Sequence, residues 1–169
     1  MTPGSAYSPV TADVVEQLKR IVGDRHVVFD DPDRLEPYSH DEIPDPRWAH
    51  SPEAVVRPAD AKQIAAIMEL ANRLRIPVTP RGAGSGLSGG AVPLHGGIVL
   101  LTDRMNRILE IDTQNMMAVV EPGVVTNDIN LALREHGLFY AGYPMSLETC
   151  FIGGNVAENA GAPRPSSTA

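Results

Sequence analysis

Apolar residues recur at helical spacing near the start of the chain, where Val14, Val15, Leu18, Ile21 and Val22 share one face and Gly23 follows as a stop. Asp13 and Glu16 stand where a capping pair for that helix is expected. A second stripe, Ile64, Ile67, Met68, Ala71 and Leu74, predicts a helix opened by Asp60 with Gln63 and ended by Pro77. Between them, residues 27–52 are rich in Asp and Pro, including DDPD and IPDP, a composition that predicts an irregular connection across the surface. Short extended runs fall at 54–57, closed by Pro58, at Val78 and Thr79, and at 98–101. Strand, helix, strand at this spacing predicts a small parallel sheet with helices packed on it. Further on, 108–111 and 117–121 flank the turn-forming DTQN and predict an antiparallel pair. A helix over about 127–136 follows, with Thr126 as N-cap and Gly137 as C-cap, and Gly153 and Gly154 precede a helix-like NVAENA.

With 169 residues and 43% hydrophobic content the chain can bury one core, which sets one domain, or one plus the start of another, as the expectation. A net charge of -7 without blocks of like charge argues against nucleic acid, whose phosphates demand clustered Lys and Arg. Cys150 is the sole cysteine, so no intrachain disulfide forms, which fits a reducing compartment. The first residues lack a basic stretch followed by an apolar run, and no segment approaches the roughly 18 apolar residues of a membrane span. The expectation is a cytoplasmic protein with no membrane span.

The richest local signal is PRGAGSGLSGGAVPLHGG, which carries Gly82, Gly84, Gly86, Gly89, Gly90, Gly96 and Gly97. Such density costs backbone entropy, and it is repaid where amides must converge on an anion such as a diphosphate. A flexible surface loop is the alternative, but this loop is flanked by two buried-looking runs. GSGLSG also fits the G-x-G-x-x-G dinucleotide fingerprint, and Asp103 lies at the distance of its ribose-binding acid. The fingerprint requires its third glycine to open a helix. Here Gly90, Pro93, Gly96 and Gly97 follow and leave no room for one.

The segments PRGAGSGLSGGAVP, GGIVLLTDRMNRILEID, EPGV, GLFYAGYP and IGGNVAENAG, in that order, resemble the FAD-binding domain of the FAD-linked oxidases, which include glycolate oxidase, D-lactate dehydrogenase and D-2-hydroxyglutarate dehydrogenase. The resemblance runs from about residue 13 to 161. It implies an α+β, PCMH-type FAD-binding fold, with a small parallel sheet and helices plus the start of a second, mostly antiparallel subdomain. It also implies oxidation of a small 2-hydroxy acid, with a possible electron-transfer partner subunit. In such proteins the loop matching Arg81, Gly82, Ala83, Gly84, Ser85, Gly86 and Leu87 wraps the FAD diphosphate with backbone amides. The segment matching Pro144, Ser146, Thr149, Gly153, Gly154 and Asn155 passes along the flavin, and Glu158 and Asn159 continue the motif, although NVAENA also reads as a polar helix face. Related oxidases tether FAD through a histidine in the glycine loop and sometimes a cysteine. Ser85 stands in place of that histidine and Cys150 is one residue out of register, so the resemblance implies noncovalent FAD, with Cys150 a neutral thiol nearby.

His40 and His95 belong to no spaced ligand set and read as loop histidines, Trp48 as a packing anchor for the Pro-rich crossing, and Arg104 and Arg107 as solvated. Organisation is expected as a flexible 1–12, a partial FAD-binding domain over 13–161, and a tail over 162–169. Whole family members are more than twice as long, and the resemblance implies that the catalytic base and substrate clamp lie beyond this chain. The tail APRPSSTA departs from the family's PRAVKYG. Codons CCG TCA AGT ACG GC for its last five residues, regrouped one frame over, contain GTC AAG TAC GGC, the family's VKYG. A frameshift is the expectation, and the gene's nucleotides beyond Gly161 are its test.

Overall fold

A computed structural model describes residues 6–142 and 144–160; the 162–169 tail lies outside the described residues. Helix α1 spans Ala12–Val22 and buries Val14, Val15, Leu18 and Val22. Its cap is Thr11, whose hydroxyl accepts from the Val14 amide at 3.5 Å, in place of the expected Asp13 and Glu16 pair. Asp13 instead lies in the first turn, where a carboxylate meets the positive end of the helix dipole, and Glu16 pairs with Lys19 at 2.9 Å. The segment ahead of it was expected to be loose, yet the Ser8 amide donates to the Arg75 carbonyl at 3.0 Å and Val10 is buried, its amide on the Glu53 carboxylate.

The Asp- and Pro-rich crossing holds more regular structure than its composition predicts. Strand β1 (Val27–Phe29) and the short helix α2 (Pro32–Leu35) lie within it, α2 starting from Asp31, which accepts from the Arg34 amide. A three-residue strand between helix-breakers carries too little periodicity to be read, and pairing with a buried neighbour creates it. That neighbour is β2 (Ala54–Val56), which is followed by α3 (Ala61–Leu74). Asp60 accepts from the Gln63 amide at 2.8 Å while the Gln63 side chain accepts from the Ala59 amide at 2.7 Å, so the reciprocal cap is present. α3 ends at Arg75 in the left-handed region, φ 58°, before Pro77 can break it.

Strands β3 (Val78–Arg81) and β4 (Ile98–Leu101) complete a four-stranded sheet of order β1-β2-β4-β3. β2, β4 and β3 run parallel, and β1 is an antiparallel edge on β2. Alternation along β2 and β4 divides the core. Ala54, Val56, Ile98 and Leu100 face α1 and α3, while Val55, Val99 and Leu101 face Val28, Leu35 and Tyr38.

Beyond the sheet, β5 (Ile108–Asp112) and β6 (Met117–Val120) form the expected antiparallel pair. Ile108, Ile111 and Val120 pack on a core formed by Val124, Ile129, Leu133 and Ile152, from helices α4 (Thr126–Arg134) and α5 (Ile152–Ala157) and the segment before α4. The opposite face of the pair leaves Leu109, Met117 and Val119 exposed. The architecture is α+β, a mostly parallel sheet with helices followed by a small antiparallel unit.

Candidate functional site

Because β3 and β4 are parallel, residues 82–97 must carry the chain from the C-terminal end of one strand back to the N-terminal end of the other, and ligands in such sheets gather outside the C-terminal ends. Arg81, the last residue of β3, fixes how the loop leaves. Its side chain is buried and turned away from the loop's free face, with Nη1 donating to the carbonyls of His40 at 2.7 Å and Ala91 at 3.3 Å and Nη2 donating to Pro37 at 3.2 Å. Tyr38 lies beneath the guanidinium, 5.8 Å from centroid to Cζ. Burial draws its pKa below the ordinary arginine value, opposed by the nearby charge of Asp41. Gly84 crosses directly over this group with φ 76°, and a Cβ there would overlap the guanidinium. Buried Asp41 holds the far end, accepting from the amides of Gly89 at 2.8 Å and Ile43 at 3.0 Å.

Thus fastened from behind, the loop leaves its own donors unspent. Among the described residues, no protein acceptor takes the backbone amides of residues 82 through 88. The loop contains no helix, so the G-x-G-x-x-G fit at Gly84, Gly86 and Gly89 lacks its structural context. Asp103 is likewise occupied, forked onto Arg57 at 2.5 to 3.1 Å.

The opposing wall is the start of α5. The chain enters it through an antiparallel bridge between Val125 and Phe151, with the Ile152 amide on the Val124 carbonyl and the Gly153 amide on the Pro122 carbonyl, both at 2.9 Å. Behind it lies a buried polar cluster. Thr126 Oγ1 accepts from Asn155 Nδ2 at 2.7 Å and from Cys150 Sγ at 3.3 Å, and donates to the Cys150 carbonyl at 3.3 Å. Thr126 was expected to cap α4, but Val125 takes the cap position and the Thr126 hydroxyl points inward, fully buried. The two glycines lie inside α5 instead of before it, and they differ. A Cβ on Gly153 would sit 2.6 Å from Pro122 Cβ, whereas one on Gly154 would meet nothing within 4 Å.

The walls meet where Gly82 faces Phe151, a Cβ at that glycine lying 3.5 Å from the ring-bearing carbon. They enclose a cavity of about 510 Å³, within the ~300 to 1,000 Å³ typical of small-molecule sites. Arg81, Gly82, Ala83, Gly84, Ser85 and Gly86 line it from one side, and Pro144, Ser146, Gly153, Gly154, Asn155 and Glu158 from the other. Leu87, Thr149 and Asn159 are not brought to it: Leu87 is exposed, the Thr149 hydroxyl donates to the Ser146 carbonyl at 3.2 Å, and Asn159 takes φ 52° beyond α5. Gly90, Ala91, Thr102, Pro122, Cys150 and Phe151 also line it, beyond the contacts that the motifs imply. Pro122 lies in the EPGV motif, the signal that could have found it.

Elsewhere, Trp48 is half exposed and does not anchor the crossing. Arg104 donates to the Arg57 carbonyl at 2.7 Å, and Arg107 forks onto the buried Glu121 at 2.7 to 3.2 Å, so neither is merely solvated. His40 and His95 are exposed; the His95 ring lies against that of Tyr7, centroids 5.2 Å apart and planes tilted by 43°. No group of three or more His, Cys, Asp or Glu with metal-binding geometry occurs among the described residues.

A family model described as "FAD binding domain" matches residues 52–167. The glycolate oxidase subunit GlcD of Bacillus subtilis (strain 168) is 43% identical over 157 residues, covering 92% of this chain and 32% of that protein. A D-lactate dehydrogenase of Anaerostipes hadrus is 37% identical over 158 residues, covering 94% of this chain and 32% of its own length. The chain therefore spans about a third of the length of the curated relatives it matches. Among solved structures, an alkyldihydroxyacetonephosphate synthase shares the fold, with TM-score 0.79 at 20% identity over 94% of this chain and 31% of its own. A p-cresol methylhydroxylase with substrate bound matches with TM-score 0.65 at 29% identity over 75% of this chain and 26% of its own.

Proposed function

The chain belongs to the family of FAD-binding domains, and from that premise we propose that it is the cofactor-holding part of a flavin-dependent oxidoreductase that oxidises a 2-hydroxy acid of the glycolate or D-lactate type. FAD is the cofactor of this family. One observation carries the reading of the site: a run of backbone amides, residues 82 through 88, without protein acceptors among the described residues, of which residues 82 through 86 line one side of a cavity closed opposite by Gly153 and Gly154. A diphosphate satisfies such amides without requiring a cation, and the open face of Gly154 admits a flat group that a side chain would displace.

Residues 82–86 would take the diphosphate, with the Ser85 hydroxyl as an added donor, and Pro144, Ser146, Gly153, Gly154 and Asn155 would border the flavin and its ribityl chain. Leu87, Thr149 and Asn159 are kept in the proposal as contacts implied by the motifs alone. FAD would be held noncovalently, since Ser85 offers no tether and the Cys150 thiol is buried against Thr126. When bound, the flavin supplies the two-electron acceptor for the substrate's α-carbon. The chain's own part is binding, orientation and exclusion of water.

We further propose that the chain alone does not turn over. Among the described residues, Arg81, Cys150 and Glu158 are the titratable side chains lining the cavity, and Arg81 and Cys150 are committed to internal hydrogen bonds. A base and a carboxylate clamp would come from elsewhere in a longer protein. A relative named as a subunit of glycolate oxidase supports a partner subunit, and electron transfer to that subunit is part of this proposal. No described helix is long and apolar enough to cross a membrane, and a cytoplasmic location is part of this proposal.

The test is reconstitution of the chain with FAD, followed by an absorbance scan over the flavin bands and an assay with glycolate and D-lactate. A bound yellow cofactor without turnover is the expected result. Binding of NAD in preference to FAD would sink the reading.

A further inference from the structure

The cavity that would hold the diphosphate carries an unusual pair of charges. Among the described residues, Arg81 and Glu158 are the charged side chains that line it. Arg81 spends three of its five N–H donors on carbonyls behind the loop, so what it offers a ligand is chiefly field. Glu158 stands at the end of α5, its amide on the Gly154 carbonyl at 3.0 Å, and its carboxylate rests against the glycine loop. A Cβ added at Gly86 would lie 3.2 Å from Glu158 Oε2, and one at Gly90 would lie 2.6 Å from Oε1. Both glycines therefore make room for a carboxylate on the rim of an anion cradle, and among the described residues no ion pair or hydrogen bond of its side chain neutralises it.

A cradle built from neutral amides stabilises a diphosphate of charge about -2, the state of one esterified on both ends. Each further negative charge must be placed near the Glu158 carboxylate, with only the buried Arg81 guanidinium, itself facing the carboxylate of Asp41, to offset it. From this we infer that Glu158 is a specificity-determining residue: it admits a diphosphate capped on both sides, as in a flavin or other dinucleotide, and discriminates against one ending in a free phosphate. The inference rests on the proposed diphosphate-binding role of the loop and deepens it.

ADP-ribose and ADP form the discriminating pair, because they share the adenosine diphosphate but differ by the terminal charge. Each is titrated as a competitor of FAD on the full chain, with flavin fluorescence as the readout, and the ratio of the two inhibition constants is compared with that of Glu158→Gln, which keeps the shape and removes the charge. The expected result is a ratio that disfavours ADP in the parent and contracts by about fivefold or more in the variant, the lower bound being the size of one unit-charge repulsion about 4 Å apart at the dielectric of bulk water. Rising salt should contract the parent's ratio in the same direction, a measurement that needs no variant. A ratio insensitive to both substitution and salt, with FAD still bound, overturns the inference alone. Failure of the chain to bind FAD or ADP-ribose at all overturns the diphosphate reading and the inference together.

Discussion

The two walls of the cavity are made by opposite strategies. In the glycine loop the side chains stay behind, Arg81 and Asp41 gripping carbonyls and amides from the rear, and the backbone of residues 82 through 88 is left with its donors unused. In the α5 wall the backbone is consumed, with the amides of Ile152 and Gly153 bound to Val124 and Pro122 and the side chains of Thr126, Cys150 and Asn155 closed on one another. The first wall offers hydrogen-bonding capacity and the second offers shape. The same residue type consequently does different work in each, which Gly84, Gly153 and Gly154 demonstrate within one cavity.

The sharpest way to break the comparison is Arg81→Met, which leaves the carbonyls of Pro37, His40 and Ala91 without their shared donor. The expected loss is about 3 kcal/mol in urea denaturation, on the scale of hydrogen bonds to a buried charged group, with flavin binding lost as well. Gly153→Ala comes next. Its methyl collides with Pro122, and overpacking of this kind costs on the order of 1 to 3 kcal/mol, read as a lowered denaturation midpoint. Thr126→Val removes the hydroxyl at the centre of the buried cluster and should cost about 1 to 2 kcal/mol, with Thr126→Ser restoring most of it.

A smaller effect follows pH. His26 is held below the ordinary histidine value of 6.5, chiefly by burial and then by Arg104, Arg25 and Arg57. Its Nδ1 has no partner, and Nε2 faces Arg25 Nε at 3.0 Å. The folded state thus prefers neutral imidazole and the unfolded state binds the extra proton. That contribution is full above the ordinary value and is lost as pH falls through the depressed folded one. Melting temperatures measured from about pH 7.5 down to 5 should fall less steeply in His26→Gln than in the parent. Least disruptive is Gly154→Ala, expected to change stability by no more than a gain of about 0.5 kcal/mol from helix propensity while weakening FAD binding. A stability loss as large as that of Gly153→Ala would erase the distinction between the two glycines.

Periodicity made much of the scaffold legible. The stripes of α1 and α3, the run of β4, the DTQN turn and the composition of the glycine loop all find their places because each depends on local sequence. What escaped depended on tertiary partners. Val27–Phe29 becomes a strand only beside β2, and Thr126, locally an N-cap by type, is drawn inward because Asn155 and Cys150 need its oxygen. The motif points to Arg81 as a cofactor contact, but two of the three carbonyls that hold its side chain come from residues some 40 positions earlier. No spacing rule reaches that far.

The unspent amides of the glycine loop also give the molecule a built-in reporter. Protons without acceptors trade with deuterated solvent at nearly the rate of an open peptide, whereas those in β3 and β4 are shielded by the ladder. An anion seated in the loop would slow residues 82 through 88 as a block and leave the sheet's slow exchange almost untouched. Isotope uptake therefore maps occupancy of this one loop, without a chromophore and before any redox chemistry is attempted.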